Sequence, residues 1–433
     1  MDLSQGIGVN APSQNDSAME PELLEPSKQP ARSSGEPCLL AAALLALVAA
    51  CATLTGAAAL MWGSQASTLS GLDFNGAWFE DFLGPYWQTA RLLLDGSAAP
   101  APGYLYPSTL AWLLAPIAAL TPPGNAIVPS IAALWWIFGS LTLWIGSLFA
   151  LQRPRSLRIA ALAGVGIGLA HAPVHGAYWA QASLLAVGLL CAGVALISTG
   201  RPVRAGLAIG LGAALKLHPA IGVVALALPW RRGSSVRGLF SAAAAVLTFG
   251  VLVPMALMGR AAFEEFHRAS FESLKNMHTW VLTQEGGRGA QDVPSVLRRA
   301  LSIFPPLSSA VGWLLAGMLL LGASSVLRRS RASQGQAALI ALIFLAAIPW
   351  AAVSPTWPHG LLWVPAAWWC ALHCPSPIGR GFAALSMACG SIVALRIFGS
   401  PEAYALYGLP AWSAVLALAA TVPAWRRAMG TSA

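Results

Sequence analysis

Charged side chains are scarce in this sequence. They make up 9% of its 433 residues, whereas 57% of the residues are hydrophobic and the mean hydropathy is +0.65. A soluble domain carries about 25% charged residues, because polar groups must cover its surface. The shortage excludes a soluble enzyme, a disordered chain and a coiled coil. It leaves an all-α polytopic membrane protein.

Cysteine is also rare. The six cysteines lie mostly inside or at the ends of apolar runs, and none has the spacing of zinc ligands or of a secreted disulfide framework. We interpret them as small apolar residues. The net charge of +9 comes from basic residues that are dispersed in short clusters. Without a basic patch, we expect no nucleic-acid partner.

Apolar segments of spanning or near-spanning length recur along the chain. A helix that crosses the bilayer needs about 20 residues, and several segments are short, so we expect about 10–12 transmembrane helices. The segments are 38–62, 107–122, 126–151, 159–174, 180–199, 205–230, 239–258, 307–326, 334–353, 361–373, 382–399 and 405–425.

The two ends of the chain are expected in the cytoplasm. Residues 1–37 form a polar tail whose composition predicts disorder. The first apolar run lacks a basic n-region and a cleavage site, which favours a retained anchor over a signal peptide. We expect a membrane-embedded domain over 38–427, a cytoplasmic end at 428–433, and a multi-pass location in a bacterial plasma membrane.

Arginine clusters between the apolar segments leave two topologies open. If every segment crosses, the chain has twelve passes, but the clusters at 153–158 and 201–204 fall outside. If 107–122 and 205–230 dip in and return, the chain has ten passes and every cluster is cytoplasmic. Both alternatives place four segments outside: 63–104, 259–306, 354–360 and 400–404.

Acidic residues are confined to those outside segments. Beyond the polar tail there are ten, and none lies in an expected span. Ion-coupled transporters usually have a carboxylate near the midplane, so its absence counts against one. We therefore expect any chemistry in the two larger extracytoplasmic loops, 63–104 and 259–306. A connection as long as the second is typical of a lid or a binding loop.

The first outside loop contains a candidate catalytic carboxylate. From Asp81 onward, apolar residues recur at helical spacing until Gly96, which predicts an amphipathic helix on the membrane surface. Asp81 would start this helix, where negative charge is favoured. A plain helix cap is an equally good interpretation of Asp81 from the residues alone.

Lys216 and His218 interrupt the apolar stretch 205–230, just before Pro219. A lysine among apolar residues is costly and indicates a functional site. Together with His218 it can hold a phosphate. The alternative is a lysine that extends to the interface. Gln181, which follows a polar break, either caps a helix or binds a sugar hydroxyl.

Taken in order, these segments resemble glycosyltransferase family 87, polytopic enzymes of the GT-C type that use lipid-linked sugars. The resemblance runs from about Asp81 to Trp369. Its five motifs are Asp81-Phe82 with Tyr86-Trp87, then Tyr106-Pro107 with Pro116, then Gln181, then Ala205-Gly206 with Lys216 and Pro219, and finally Ser354-Pro355 with Trp357 and His359. The sequence departs from the family pattern at Ala180, where the family has glycine, at Ser108, and at 292–295.

The resemblance implies transfer of a hexose, typically mannose, from a polyprenyl-phosphate donor to a glycolipid or glycan acceptor outside the membrane, with inversion. One carboxylate is enough as a base, because the phosphate leaves as a stable anion. Asp81 matches that role, and Asp73 or Glu80 are the alternatives. There is no D-x-D pair, so we expect no metal and no other cofactor.

The resemblance also implies a set of substrate-binding residues. The donor phosphate is expected at Lys216, with His218 or His359 assisting. The full set of substrate-binding positions is Lys216, His218, His359, Gln181, Tyr106 and Trp357.

A transporter or flippase of lipid-linked glycans is the competing hypothesis. A flippase needs charged residues along a central cavity, whereas only Lys216 and Arg396 lie within apolar runs. This distribution favours the enzyme.

Overall fold

A computed structural model describes residues 79–125, 127–154, 157–228, 236–283, 290–301, 304–353, 356–397 and 401–430. Every regular element in these ranges is a helix, and the one β feature is an isolated bridge between Ala170 and Ser391. The expected disordered tail, the first apolar run, Asp73 and Ser354-Pro355 lie outside the described residues.

Nineteen α-helices are described. They are α1 Trp87–Leu94, α2 Ser108–Ala119, α3 Ile127–Leu151, α4 Leu157–Gly168, α5 His171–Tyr178, α6 Ala182–Ser198, α7 Pro202–Leu215, α8 Gly222–Ala227, α9 Val236–Ala245, α10 Val253–Met258, α11 Arg260–Thr283, α12 Val293–Leu301, α13 Pro305–Arg329, α14 Gln334–Ala352, α15 Val364–His373, α16 Pro377–Gly390, α17 Ile392–Ile397, α18 Pro401–Leu406 and α19 Leu409–Met429. Wider π-helical segments occupy Phe82–Tyr86 and Val246–Leu252, and 3-10 turns occupy His218–Ile221 and Pro358–Leu361.

The apolar segments of the sequence become the helices of a membrane bundle. Among the described residues, four helices are long and apolar enough to cross a bilayer: Ile127–Leu151, Val236–Met258, Pro305–Arg329 and Gln334–Ala352. The all-α polytopic architecture is thereby confirmed. The number of crossings stays a prediction.

Two segments that the sequence presents as single spans are broken. The segment 159–174 divides between α4 and α5, and 382–399 divides between α16 and α17. The two breaks face each other: Ala170 pairs with Ser391, and Ile392 N–H donates to the Leu169 carbonyl at 2.9 Å. Backbone groups that one break leaves without a helical partner therefore form hydrogen bonds with the other break.

The segment 205–230 forms a hairpin. Gly212 lies against Pro219, and Gly222 lies against Ile209, so α8 returns alongside α7. Gly206 of α7 lies against Gly238 of α9 so closely that a side chain does not fit. This is the return that the ten-pass alternative requires. The other short segment, α2, has 12 residues and is about 18 Å long, which is too short for a core of about 30 Å.

The second outside loop is more regular than expected. It contains α11, a helix of 24 residues, and the shorter α12. Phe266 and Ser270 of α11 are buried, and the Phe266 ring meets Tyr104 edge-on at a centroid distance of 5.7 Å. A search for apolar runs misses such a helix because only one of its faces is apolar.

The polar breaks of the chain meet at one end of the bundle. Phe79 N–H donates to the Tyr178 carbonyl at 3.0 Å, and Gln291 N–H donates to the Thr356 carbonyl at 2.7 Å. Arg201 precedes α7 and Lys216 follows it, so Arg201 and Arg204 lie at the opposite end of that helix from Lys216.

Candidate active site

Asp81 begins the helical segment that leads into α1. Pro85 lacks an N–H and its ring crowds the carbonyl four residues earlier, and here the helix widens to a π turn. Phe82 and Tyr86 are fully buried, and Gly96 follows the helix with a φ of +80°. The helix predicted from Asp81 to Gly96 is therefore present.

Two residues near Asp81 and Gln181, Phe79 and Ala180, are conformationally strained. Among the described residues other than glycine, Phe79 and Ala180 have positive φ angles, of 63° and 49°. Such a conformation costs about 1–2 kcal/mol for a residue with a Cβ atom, and strain of this kind clusters at functional sites. It also explains why glycine suits the position of Ala180.

Gln181 stands at the N-terminus of α6 and holds two tyrosines. Its side-chain oxygen Oε1 accepts hydrogen bonds from Tyr86 Oη at 3.3 Å and from Tyr106 Oη at 3.2 Å. The two rings meet edge-on with centroids 5.0 Å apart. This network joins the π turn, the loop before α2 and the start of α6.

Lys216 stands where α7 ends, in an extended conformation. Its ammonium nitrogen Nζ donates to Ser183 Oγ at 2.6 Å and lies 5.0 Å from the centre of the Tyr106 ring. A ring face attracts a cation. These two contacts hold a positive charge beside the Gln181 network.

Asp81 faces the same region. Burial raises the pKa of its carboxyl from 3.8 to about 7, the charge of Lys216 lowers it in part, and Glu80 raises it slightly. Neither oxygen of this carboxylate accepts a hydrogen bond from the residues described. Glu80 is exposed. Asp81 is therefore a partly buried carboxylate that can take up a proton near neutral pH.

The rings of His171, His175 and His359 form a row, and Lys216 interacts electrostatically with His359. The His359 ring centre lies 5.4 Å from that of His175, which lies 5.7 Å from that of His171. Burial lowers the pKa of His359 well below its ordinary range, and Lys216, His175 and His218 lower it further. Its Nδ1 atom is fully buried and has no hydrogen-bond partner among the described residues, whereas Nε2 is not sealed off.

Asp292 positions the turn that bears His359. It is fully buried, and its two oxygens accept hydrogen bonds from Ser295 N–H at 2.8 Å and from Thr356 N–H at 2.9 Å. The 3-10 turn Pro358–Leu361 follows at once and packs against α5. The second outside loop therefore anchors His359.

Residues 104–355, more than half of the chain, match glycosyltransferase family 87. The chain belongs to this family. It is an all-α polytopic membrane glycosyltransferase. Comparisons with curated proteins and with solved structures gave no significant match. The matched range is shorter than the resemblance inferred from the motifs, and Asp81, Trp357 and His359 lie outside it.

The transferase brings most of the expected site residues together. Hydrogen bonds, ring contacts and electrostatic interactions connect Asp81, Tyr106, Gln181, Lys216, His218 and His359. Trp357 is half-buried in the turn that bears His359. No ring contact or side-chain hydrogen bond links Trp357 to the cluster within the described ranges.

Three members of the cluster were not singled out from the sequence. Tyr86 entered only as a motif residue, and Ser183 and His175 were not selected. His175 follows His171 by one helical turn, which is a usable signal. The role of Ser183 cannot be predicted from the sequence, because its hydrogen-bond partner Lys216 is 33 positions away.

Proposed function

We propose that the transferase moves a hexose, most simply mannose, from a polyprenyl-phosphate donor to a glycolipid or glycan acceptor on the extracytoplasmic face, with inversion. The supporting observation is that one partly buried carboxylate, Asp81, and one positive charge, Lys216, lie close enough to interact electrostatically. A phosphate-linked sugar needs these two groups at its reacting centre.

In the proposed reaction, Asp81 acts as the general base. It accepts the proton of an acceptor hydroxyl while that oxygen attacks the anomeric carbon from the side opposite the phosphate. The bond from the anomeric carbon to the phosphate oxygen breaks, and its electron pair stays on the phosphate. A pKa of about 7 lets Asp81 hold the proton at neutral pH. Glu80 is exposed and is the weaker candidate.

Lys216 neutralises the charge that develops on the leaving phosphate. His218 follows it at the hairpin tip, and the accessible Nε2 of His359 can donate a hydrogen bond to the same group. Gln181 and Tyr106 are proposed to complete the donor site. Trp357 offers an aromatic face for the sugar ring. None of these steps requires a metal or a cofactor.

The proposed orientation places both termini in the cytoplasm and the site outside, in a bacterial plasma membrane. It is supported by Arg201 and Arg204, which lie at the start of α7, the end of that helix opposite Lys216. Cytoplasmic loops are enriched in such residues. Cysteine labelling of loops at either end, in intact cells, tests it.

Purified protein in nanodiscs, supplied with labelled polyprenyl-phosphate mannose and candidate acceptors, tests the reaction. We expect label to appear in the acceptor with wild type and with the Glu80→Gln control, and none with Asp81→Asn. The anomeric configuration of the product, determined by NMR, tests inversion. Polyprenyl-phosphate glucose tests the choice of mannose.

Two results would count against the proposal. Full activity of Asp81→Asn would remove Asp81 as the base. Movement of the intact labelled lipid between leaflets, without any transfer, would instead favour the flippase alternative.

A further inference from the structure

The Gln181 amide is held by its oxygen alone. Tyr86 and Tyr106 direct their hydroxyl hydrogens to Oε1, at 3.3 and 3.2 Å. A carbonyl oxygen has two lone pairs, so these bonds use its full capacity as an acceptor. Gln181 is only 5% exposed, and the network is correspondingly enclosed.

The amide nitrogen Nε2 is in a different situation. Within the described ranges no residue accepts a hydrogen bond from it, and it is not among the atoms that the fold seals off without a partner. Its two N–H donors therefore have no partner in the described ranges and are not completely sealed from solvent. A glutamine placed there only to join two tyrosines would not need an accessible nitrogen.

The opposite orientation of the amide is unfavourable. The two phenol hydroxyls also interact with each other. Exchanging nitrogen and oxygen would therefore still leave one phenol hydrogen without an acceptor in a buried place, which is costly. Tyr86 Oη also accepts a hydrogen bond from Ala182 N–H at 3.4 Å. The Tyr86 hydroxyl hydrogen has the amide oxygen and the Tyr106 hydroxyl as acceptors.

The side chains of Gln181 and Lys216 both contact Tyr106. Ser183, two residues further along α6, accepts the hydrogen bond of the Lys216 ammonium at 2.6 Å. Tyr106 contacts both groups, through its hydroxyl and through its ring face. An ammonium and an NH₂ group in contact with the same tyrosine suit an oxyanion, and a phosphate group is the oxyanion of the proposed donor.

We propose that Tyr86 and Tyr106 are positioning residues that hold the Gln181 amide with its NH₂ end toward the donor, where it binds a phosphate oxygen. Gln181 thereby contributes to donor binding and does not contact the acceptor. This inference rests on the proposed function, because it assumes a phosphate-linked donor.

The substitution Gln181→Glu distinguishes the role of the amide oxygen, as acceptor, from that of the NH₂ group, as donor. A carboxylate still accepts from both phenols, so the network should be preserved, although burial of the new charge should lower the melting temperature. It offers no N–H, and its charge repels a phosphate. We expect kcat/KM for the donor to fall about 100-fold or more, with the acceptor KM unchanged.

The tyrosines are tested with Tyr86→Phe and Tyr106→Phe. Each variant leaves Oε1 one phenol, and we expect kcat/KM for the donor to fall about 3- to 10-fold. The double variant should lose more than either. In the Gln181→Glu background the same tyrosine substitutions should cause no further fall in kcat/KM for the donor, since the NH₂ group that the tyrosines position is absent.

Tyr104→Phe is the matched control. Tyr104 belongs to the same aromatic cluster, but its hydroxyl donates to the Pro107 carbonyl at 2.6 Å and makes no bond to Gln181. Donor kinetics should stay at the wild-type value. A donor KM that is unchanged in Gln181→Glu, or tyrosine effects of equal size in both backgrounds, would overturn the proposal.

Binding of sugar-free polyprenyl phosphate, followed by tryptophan fluorescence, separates this proposal from the wider one. If wild type binds this lipid and Gln181→Glu does not, the amide recognises phosphate even where no mannose transfer is found. If both bind it equally, the phosphate contact is refuted, even where transfer proceeds through Asp81.

Discussion

Replacing Asp81 with asparagine should stabilise the protein while abolishing its activity. Burial raises the pKa of Asp81 from 3.8 to about 7. The folded state therefore holds this proton more tightly than the unfolded state does. Since each tenfold change corresponds to about 1.4 kcal/mol, ionised Asp81 costs the folded state up to about 4 kcal/mol. Partial exposure of the side chain makes this an upper value.

The direction of the pKa shift of Asp81 determines the pH range in which the stability of the protein changes. Because the folded pKa is the higher one, stability falls as the pH rises from about 4 to about 7, and the cost is complete above that range. Asparagine has no such cost at any pH. Asp81→Asn should therefore melt several degrees above wild type at pH 8 and close to wild type at pH 4.5.

Tryptophan fluorescence is a suitable probe of melting, because the chain has 18 tryptophans. Both proteins are heated in the same detergent at the two pH values, with Glu80→Gln as the exposed control. In parallel, the rate of sugar transfer should drop by about 10²- to 10⁴-fold in Asp81→Asn. For wild type, kcat/KM should rise with pH through about 7.

Equal melting temperatures of wild type and Asp81→Asn at pH 8 would refute the reasoning, as would a difference that does not change with pH. The first result would mean that Asp81 is not buried in the folded protein. The second would mean that the asparagine acts through packing and not through charge.

Three further predictions concern other parts of the site. Ala180→Gly removes the strain at a φ of 49° and should keep full activity with up to about 1 kcal/mol of added stability, whereas Ala180→Val should lower both, as melting curves and initial rates will show. Lys216→Met should raise the donor KM at least about 100-fold and leave the acceptor KM unchanged; equal effects on both would contradict its role. Asp292→Asn loses the bond from Thr356 N–H and should reduce stability by about 1–3 kcal/mol together with activity, which comparison with Ser295→Ala, a change that spares that bond, will check.

The long helices could be predicted because a bilayer demands continuous apolar residues. The breaks at Ala170 and Ser391 could not, because each depends on pairing with a segment far away in the chain. Helix α11 was not predicted for another reason. Only a narrow face of it is apolar, so its sequence contains no continuous apolar run.

The charged members of the site were predictable for a simple physical reason. Asp81 and Lys216 stand out in a sequence with few charges, since each is costly where it lies. Tyr86 and Tyr106 did not stand out, because tyrosines near a membrane interface are ordinary anchors. Their shared acceptor, Gln181, is 95 and 75 positions away.

The hydrogen bond from Phe79 N–H to the Tyr178 carbonyl joins the segment that bears Asp81 to the segment that bears Gln181. Neither segment belongs to the four long helices, whose tilt adjusts to the thickness of the bilayer. The spacing between base and amide is therefore set by a backbone link and not by the lipid. In bilayers of different thickness, the chemical step should stay constant, while delivery of the lipid donor changes.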